Sequence, residues 1–277
     1  FHQEAERCLE TFLHYQGTVG LPGSYSSKAG VFNGANGWEA GGYNQHHGWI
    51  MWAMAEHYWY TGDRAWLERN AQKLIDACHW IRRERARTKS LEGLRRIERG
   101  LLPPGSLEDI GDWRVWLSNN VFSWWGLDAV ARALADIKHP EASALLSEAA
   151  AYRGDILTAF TEASVRSPLV PLRDGAWIPQ IPSEVHRRGR TFGWITVTLE
   201  GSIYLLRTGL MAPDHPMAVH IMQDFEDNLY LSERYGYSWN KHGAQWFSRG
   251  GISMQPNLLC SPHPYLLRDE IAHYLRA

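Results

Sequence analysis

The sequence predicts an all-α fold, and three observations carry that expectation. Apolar residues recur at helical spacing through most of the chain, and no run alternates convincingly as a strand would. The links between predicted helices also alternate between tight turns and long loops. Caps and breakers place helices near 2–15, 44–61, 64–87, 119–137, 140–165, 193–209, 214–232 and 264 to the end.

Each element has its own reason. Thr61-Gly62-Asp63, Lys138-His139-Pro140 and the segment Gly209 to Asp214 are tight turns, so the helices on either side of each form antiparallel hairpins. The links across 16–43, 88–118, 166–192 and 233–262 are long, and tight turns at the other end require all of them to share one end of the stack. Helix 64–87 is amphipathic, with Leu67, Ala71, Leu74, Ile75, Cys78 and Ile81 on one stripe and Arg69, Lys73, Arg82 and Arg83 on the other, which marks an outer helix. Gly48 to Tyr60 and Gly193 to Leu206 are apolar almost all round, which marks inner helices buried on both sides. Inner-helix starts near 44, 119, 193 and 264 are spaced by 75, 74 and 71 residues, one inner and one outer helix per repeat. Gly48-Trp49, Trp125-Gly126 and Gly193-Trp194 recur near those starts.

Concentric inner and outer helices joined in this way make an (α/α) toroid. Three hairpins and a half at each end amount to about four repeats. The first helix starts without a capping residue and the last stops without a C-cap signal, so the expectation is a toroid incomplete in this chain. Residues 1–277 are read as a single toroid catalytic domain or a fragment of one, with further domains of a longer chain as partners.

With 277 residues, 44% of them hydrophobic, the chain has ample material for a core. A formal charge of -2, from 28 basic and 30 acidic residues, leaves no electrostatic footprint for nucleic acid or an anionic membrane and favours a neutral substrate. No run has the length of a membrane span, and localisation stays open. Cys8, Cys78 and Cys260 are odd in number and far apart, so they suit neither a disulfide framework nor a metal knuckle. Tryptophan is unusually frequent, 14 residues against 8 phenylalanines, and ten of the indoles fall in the long loops or first turns of inner helices.

The stretch Gly100 to Val121 concentrates the chemistry. It sets Glu108, Asp109 and Asp112 beside Trp113 and Trp116, then Asn119 and Asn120, ahead of an apolar helix. Carboxylates among indole faces suit a sugar-cleaving site, which needs an acid near the scissile bond and flat apolar surfaces for pyranose rings. Shelter by Trp113 and Trp116 would raise a carboxyl pKa, with Glu108 the leading general acid and Asp109 and Asp112 behind it. The same acids also suit the positive end of a helix, and Asn119 or Asn120 also suits an N-cap. Trp38-Glu39, Tyr43, Asn44, Gln45, His46 and His47 open the preceding inner helix, where Glu39 is a candidate base and the polar groups of the others can grip hydroxyls. Adjacent histidines on a helix diverge and no acid or cysteine completes a set, so no metal or other cofactor is expected. The third long loop supplies Trp177, Glu184 and Arg188 with Trp194 beyond it, and the fourth supplies Trp239, Trp246, Gln255 and Asn257, all as subsite candidates.

The runs HHGWIMWAMAEHYWYTGDRAWLERNAQKLIDACHWIRRER and GLLPPGSLEDIGDWRVWLSNNVFSWWGLDAVARALADI resemble the catalytic toroid of the six-hairpin glycosidases, in particular the α-L-rhamnosidase-like and glucosidase-like families. The echoes are Tyr60-Thr61-Gly62-Asp63 closing an inner helix and Gly111-Asp112-Trp113 before the next, and the resemblance covers most of 43–277. It implies a metal-free glycoside hydrolase with two carboxylates, usually inverting, acting on a neutral oligosaccharide or glycoside at the loop-rich end. Such toroids have six hairpins, so the second carboxylate is either Glu39 or lies outside the chain. Two alternatives stand beside it: a polysaccharide lyase using Tyr43, His46, His47, Asn119 and Arg188, and a non-catalytic carbohydrate-binding toroid.

Overall fold

A computed structural model describes residues 1–33, 44–107, 110–188, 202–224, 227 and 262–276. The chain is mostly helical with little strand. It divides into two compact units, Phe1–Ala159 and Phe160–Ala277.

The first unit contains α1 (His2–Tyr15), α2 (Gln45–Thr61), α3 (Arg64–Ala86), a 3-10 segment Gly93–Glu98, the strands β1 (Gly105–Leu107) and β2 (Ile110–Arg114), α4 (Leu117–Asp136) and most of α5 (Ala142–Arg166). The turn between α2 and α3 takes two residues. Gly62 adopts φ 66° and donates its N–H to Tyr58 O, and the Asp63 carboxylate then accepts from Trp66 N at 2.8 Å. A left-handed stop followed at once by an N-cap is how a helix reverses in so little chain. The result is an antiparallel hairpin: the His57 ring meets Trp66 and the His47 ring meets Trp80, each at 4.7 Å. Lys138, at φ 60°, ends the α4 side of the second hairpin. There Tyr152 donates to Asn120 at 2.8 Å and the Trp124 indole to Ala149 O at 3.0 Å, so α4 and α5 also run antiparallel.

The two hairpins lie side by side in register. Gly48 of α2 abuts the Phe122 carbonyl, Trp52 stacks on Trp125 at 4.2 Å and 18°, and Tyr58 donates to Asp136, so α2 and α4 are parallel. On the other layer His79 meets Glu141 at 3.4 Å and Arg85 meets Asp155 at 2.6 Å, so α3 and α5 are parallel too. The helix α1 runs along α3 in the same direction, with Glu6 beside Arg69 and Lys73 donating to Leu13 O. Within this unit α2 and α4 therefore form one layer and α3 and α5 the other, and the described parts of its long connections lie at the end opposite the tight turns. Glycine makes the inner layer close: a Cβ on Gly126 would come within 2.5 Å of Gly48 O, and one on Gly48 would overlap the Phe122 carbonyl.

Strand is present where none is expected from the sequence. β1 and β2 pair antiparallel within Gly100 to Val121, and β3 (Leu169–Pro171) pairs with β4 (Trp177–Pro179) after α5. Runs of three to five residues are too short to show an alternating pattern. The second unit also holds α6 (Tyr204–Arg207), α7 (Pro216–Asp224), α8 (Pro262–Leu267) and α9 (Ile271–Arg276). Of the expected helix over 193–209 only the final part lies among the described residues. The expected helix from 264 to the end is broken in two, with Asp269 at φ 59° in the break.

Close approach of α2 and α4 sets the first test. Gly48→Ala is expected to destabilise the protein by about 1–3 kcal/mol or more through overpacking against backbone, read from urea unfolding. Gly154→Ala in α5, where an added Cβ meets nothing within 4 Å, is expected to stabilise by about 0.5–1 kcal/mol.

Candidate functional site

In the first unit the long connections meet at the starts of α2 and α4. Residues 22–24 and 104–106 pair as extended backbone: Ser24 N donates to Pro104 O at 2.8 Å, Ser106 N donates to Pro22 O at 3.0 Å, and Gly23 faces Gly105. Both glycines are needed for the approach. A Cβ on Gly23 would lie 2.8 Å from Pro104 O, and one on Gly105 would strike the Asn44 amide and the Tyr25 hydroxyl.

Beneath this crossing lies a buried polar floor. The Asn44 amide donates to the Tyr25 hydroxyl at 2.8 Å and to Pro22 O at 3.2 Å, and Ser106 Oγ reaches Asn44 Oδ1 at 3.5 Å. The Asn119 amide donates to Ser106 O at 2.8 Å, which closes the chain of contacts from loop to α2 to β1 to α4. Burial raises the Tyr25 phenol above its ordinary pKa, so the floor is uncharged. Some of its neighbours are not satisfied. Gln45 has no exposed surface, and neither its Oε1 nor its Nε2 finds a partner among the described residues; the same holds for Asn119 Oδ1, Ser118 Oγ and Trp116 Nε1. Each such atom costs about 1–3 kcal/mol while unpaired. Neither α2 nor α4 has a side chain capping its first turn or an acid within it.

The expected site residues divide sharply. Trp38, Glu39, Tyr43, Glu108, Asp109, Trp194, Trp239, Trp246, Gln255 and Asn257 lie outside the described residues. Asp112 and Trp113 are on β2. The Asp112 side chain is 66% exposed and pairs with Arg114 at 3.0 Å, and Trp113 is 54% exposed. The expected shelter for Asp112 is therefore missing, because Trp116 turns into the core as the residue preceding α4 and Trp113 stands in solvent. Asn119 belongs to the floor just described. Asn120 is wholly engaged: Oδ1 accepts from Leu102 N and Tyr152 Oη, each at 2.8 Å, and Nδ2 donates to Trp116 O at 2.8 Å. Neither asparagine caps α4, which begins at Leu117.

His46 is half-buried, its ring 5.4 Å from Trp49. His47 serves the core instead of a substrate, since Nδ1 accepts from Phe32 N at 3.0 Å and Nε2 donates to Ala77 O at 3.3 Å. Burial pushes its pKa down to about 3, so it is a neutral tie between loop and α3. In the second unit Trp177 is 63% exposed at the start of β4, Glu184 is buried with Oε2 accepting from His186 N at 2.9 Å, and Arg188 is exposed. Among the described residues no group of three or more His, Cys, Asp or Glu side chains is arranged to hold a metal ion, and no helix is long and apolar enough to cross a membrane.

Tyr25 and Ser106 are not among the residues that the sequence suggested, whereas Gln45 falls in the segment expected to grip hydroxyls. A signal for Ser106 existed: Leu21-Pro22-Gly23-Ser24 and Leu102-Pro103-Pro104-Gly105-Ser106 are near-copies in consecutive long loops, and they are the segments that pair.

A pH test follows from His47. Its folded pKa lies below its unfolded value of 6.5, so the unfolded chain takes up the proton first, and stability present above pH 6.5 is lost as pH falls toward about 3. The loss is expected at up to about 1.4 kcal/mol per pH unit. Melting curves from pH 7 to 4 are expected to show a steeper acid decline for wild type than for His47→Gln.

Comparison of the chain with family models, with curated proteins and with solved structures finds no match.

Proposed function

We propose that this protein is a glycoside hydrolase acting on a neutral oligosaccharide or glycoside, and that its hairpins belong to an (α/α) toroid whose loop-bearing end is the working face. The observation that carries this reading is the uncharged floor of Tyr25, Asn44, Ser106 and Asn119 beneath a β-hairpin that presents an exposed indole, Trp113. Amides and hydroxyls serve sugar hydroxyls as both donors and acceptors, and an indole face suits the C–H face of a pyranose. Glu108 and Asp109 lie between β1 and β2 in the sequence, so two of the candidate acids are close along the chain to Trp113.

In this reading Glu108, with Asp109 and Asp112 as its rivals, gives a proton to the glycosidic oxygen as the bond to the anomeric carbon breaks. A second carboxylate, Glu39 or one outside the chain, takes a proton from the water that attacks that carbon. A non-catalytic carbohydrate-binding toroid is the second reading. The exposure of Asp112 favours it, because a catalytic carboxyl belongs in a cleft and this one stands in solvent. The lyase reading loses support from His47, whose two ring nitrogens are both occupied by backbone.

The experiment is a panel of aryl glycosides and neutral oligosaccharides offered to wild type, Glu108→Gln, Asp112→Asn and Glu39→Gln. Hydrolysis by wild type that falls by about a hundredfold or more in one variant, with that variant folded, is the expected result. Binding of a saccharide without turnover by any of the four supports the second reading, and ultraviolet absorbance of an unsaturated product supports a lyase.

A further inference from the structure

Buried polar atoms without partners mark places where a native protein expects one. In the first unit four of the side chains with such atoms, Gln45, Trp116, Ser118 and Asn119, belong to the loop-end starts of α2 and α4. Gln45 is the extreme case, with both polar atoms of a fully buried amide unpaired among the described residues. Asn119 is its counterpart. The two are 74 residues apart, which is the repeat spacing, and each stands one turn ahead of the contact between Gly48 and the Phe122 carbonyl. The two amides are therefore level with each other on parallel helices. They are joined through the floor: Asn44, the neighbour of Gln45, is held by Ser106 Oγ, and Asn119 holds Ser106 O.

From this we infer that the first turns of α2 and α4 form a subsite for the hydroxyl groups of a neutral sugar, with the Gln45 amide and Asn119 Oδ1 as its ligand groups. The inference rests on the carbohydrate reading above and adds the groups that grip. Chemistry selects the ligand class. The unpaired set contains donors in Gln45 Nε2 and Trp116 Nε1, acceptors in Gln45 Oε1 and Asn119 Oδ1, and a hydroxyl in Ser118, with no formal charge. A carboxylate or phosphate would leave the acceptors unpaired, and a cation would leave the donors so. A hydroxyl group donates and accepts at once and serves both kinds of atom. Packing gives no other reason for the amide, since a glutamine buried only for its bulk would be better replaced by methionine of similar length.

Replacement of Gln45 separates these roles. Wild type, Gln45→Met and Gln45→Glu are to be titrated with glucose, galactose, mannose and L-rhamnose and with disaccharides of each, read by saturation-transfer NMR and calorimetry, beside thermal melts. The expected result is binding by wild type that weakens about tenfold or more in Gln45→Met, with a melting temperature equal to or above wild type. Gln45→Glu, which keeps the shape but loses the donor, is expected to weaken binding as well. Sugar bound equally well by wild type and both variants would overturn the subsite and leave the carbohydrate reading intact. A Gln45→Met variant that loses binding together with several degrees of melting temperature would assign the amide to folding and overturn the subsite. No saccharide bound by wild type would remove the carbohydrate reading and the subsite with it.

Discussion

Arg85 carries a guanidinium with no exposed surface, and the loops of the first unit depend on how that charge is satisfied. Its Nε donates to Gly100 O at 2.6 Å, its terminal nitrogens pair with Glu148 and with Asp155 at 2.6 Å, and its plane lies 3.9 Å from the Tyr152 ring centroid. Taking a cation out of water costs several kcal/mol, and only saturation of its donors offsets that. Asp155 is more than a third exposed, so water screens its share and the nearly buried Glu148 carries more of the pairing. The preceding residue does the same for the other loop: the buried Glu84 carboxylate accepts from Ser26 N at 2.9 Å and Ser26 Oγ at 2.6 Å. Two neighbours in the last turn of α3 thus hold two separate connections, and neither connection can lift away without exposing a buried charge to incomplete solvation.

Backbone contact in the inner layer supplies the other half of the arrangement. With no side chain at Gly48 or Gly126, α2 and α4 approach until backbone meets backbone, which fixes their relative height. Fixed height brings their first turns level, and level first turns let Asn44 and Asn119 reach the same strand residue, Ser106. The pairing of residues 22–24 with 104–106 then roofs the floor with glycine, where any side chain would collide. The cost of the arrangement is a set of buried polar atoms left unpaired at its edge, and those atoms are the reason to look for a ligand there.

Much of this scaffold was legible because its causes are local. Gly62-Asp63 names a stop and a start within two residues, and the apolar or amphipathic character of each helix assigns its layer. The repeat of about 74 residues reappears as the offset between Gly48 and Phe122. What escaped the sequence depends on partners far along the chain. Asn120 reads as a cap from its neighbours, yet it is spent on Leu102 and Tyr152, 18 and 32 residues away. His47 reads as a ligand, yet it bridges Phe32 and Ala77. Trp113 reads as shelter for the neighbouring acids, yet it stands in solvent beside an exposed Asp112, because the strand that carries both is too short to leave a clear period in the sequence. The near-copies at residues 21–24 and 102–106 were the one available sign that two loops would pair.

The central claim is that the loop-bearing end of the hairpins, and not the end with tight turns, is where a neutral saccharide binds. Amide hydrogen exchange of the whole chain, with and without a mixture of neutral oligosaccharides, tests it directly. The account predicts slowed exchange over residues 16–33 and 100–116 and the first turns of α2 and α4, with Thr61–Asp63 and Lys138–Pro140 unchanged. Protection centred on those two turns, or no protection anywhere with any saccharide, would contradict it.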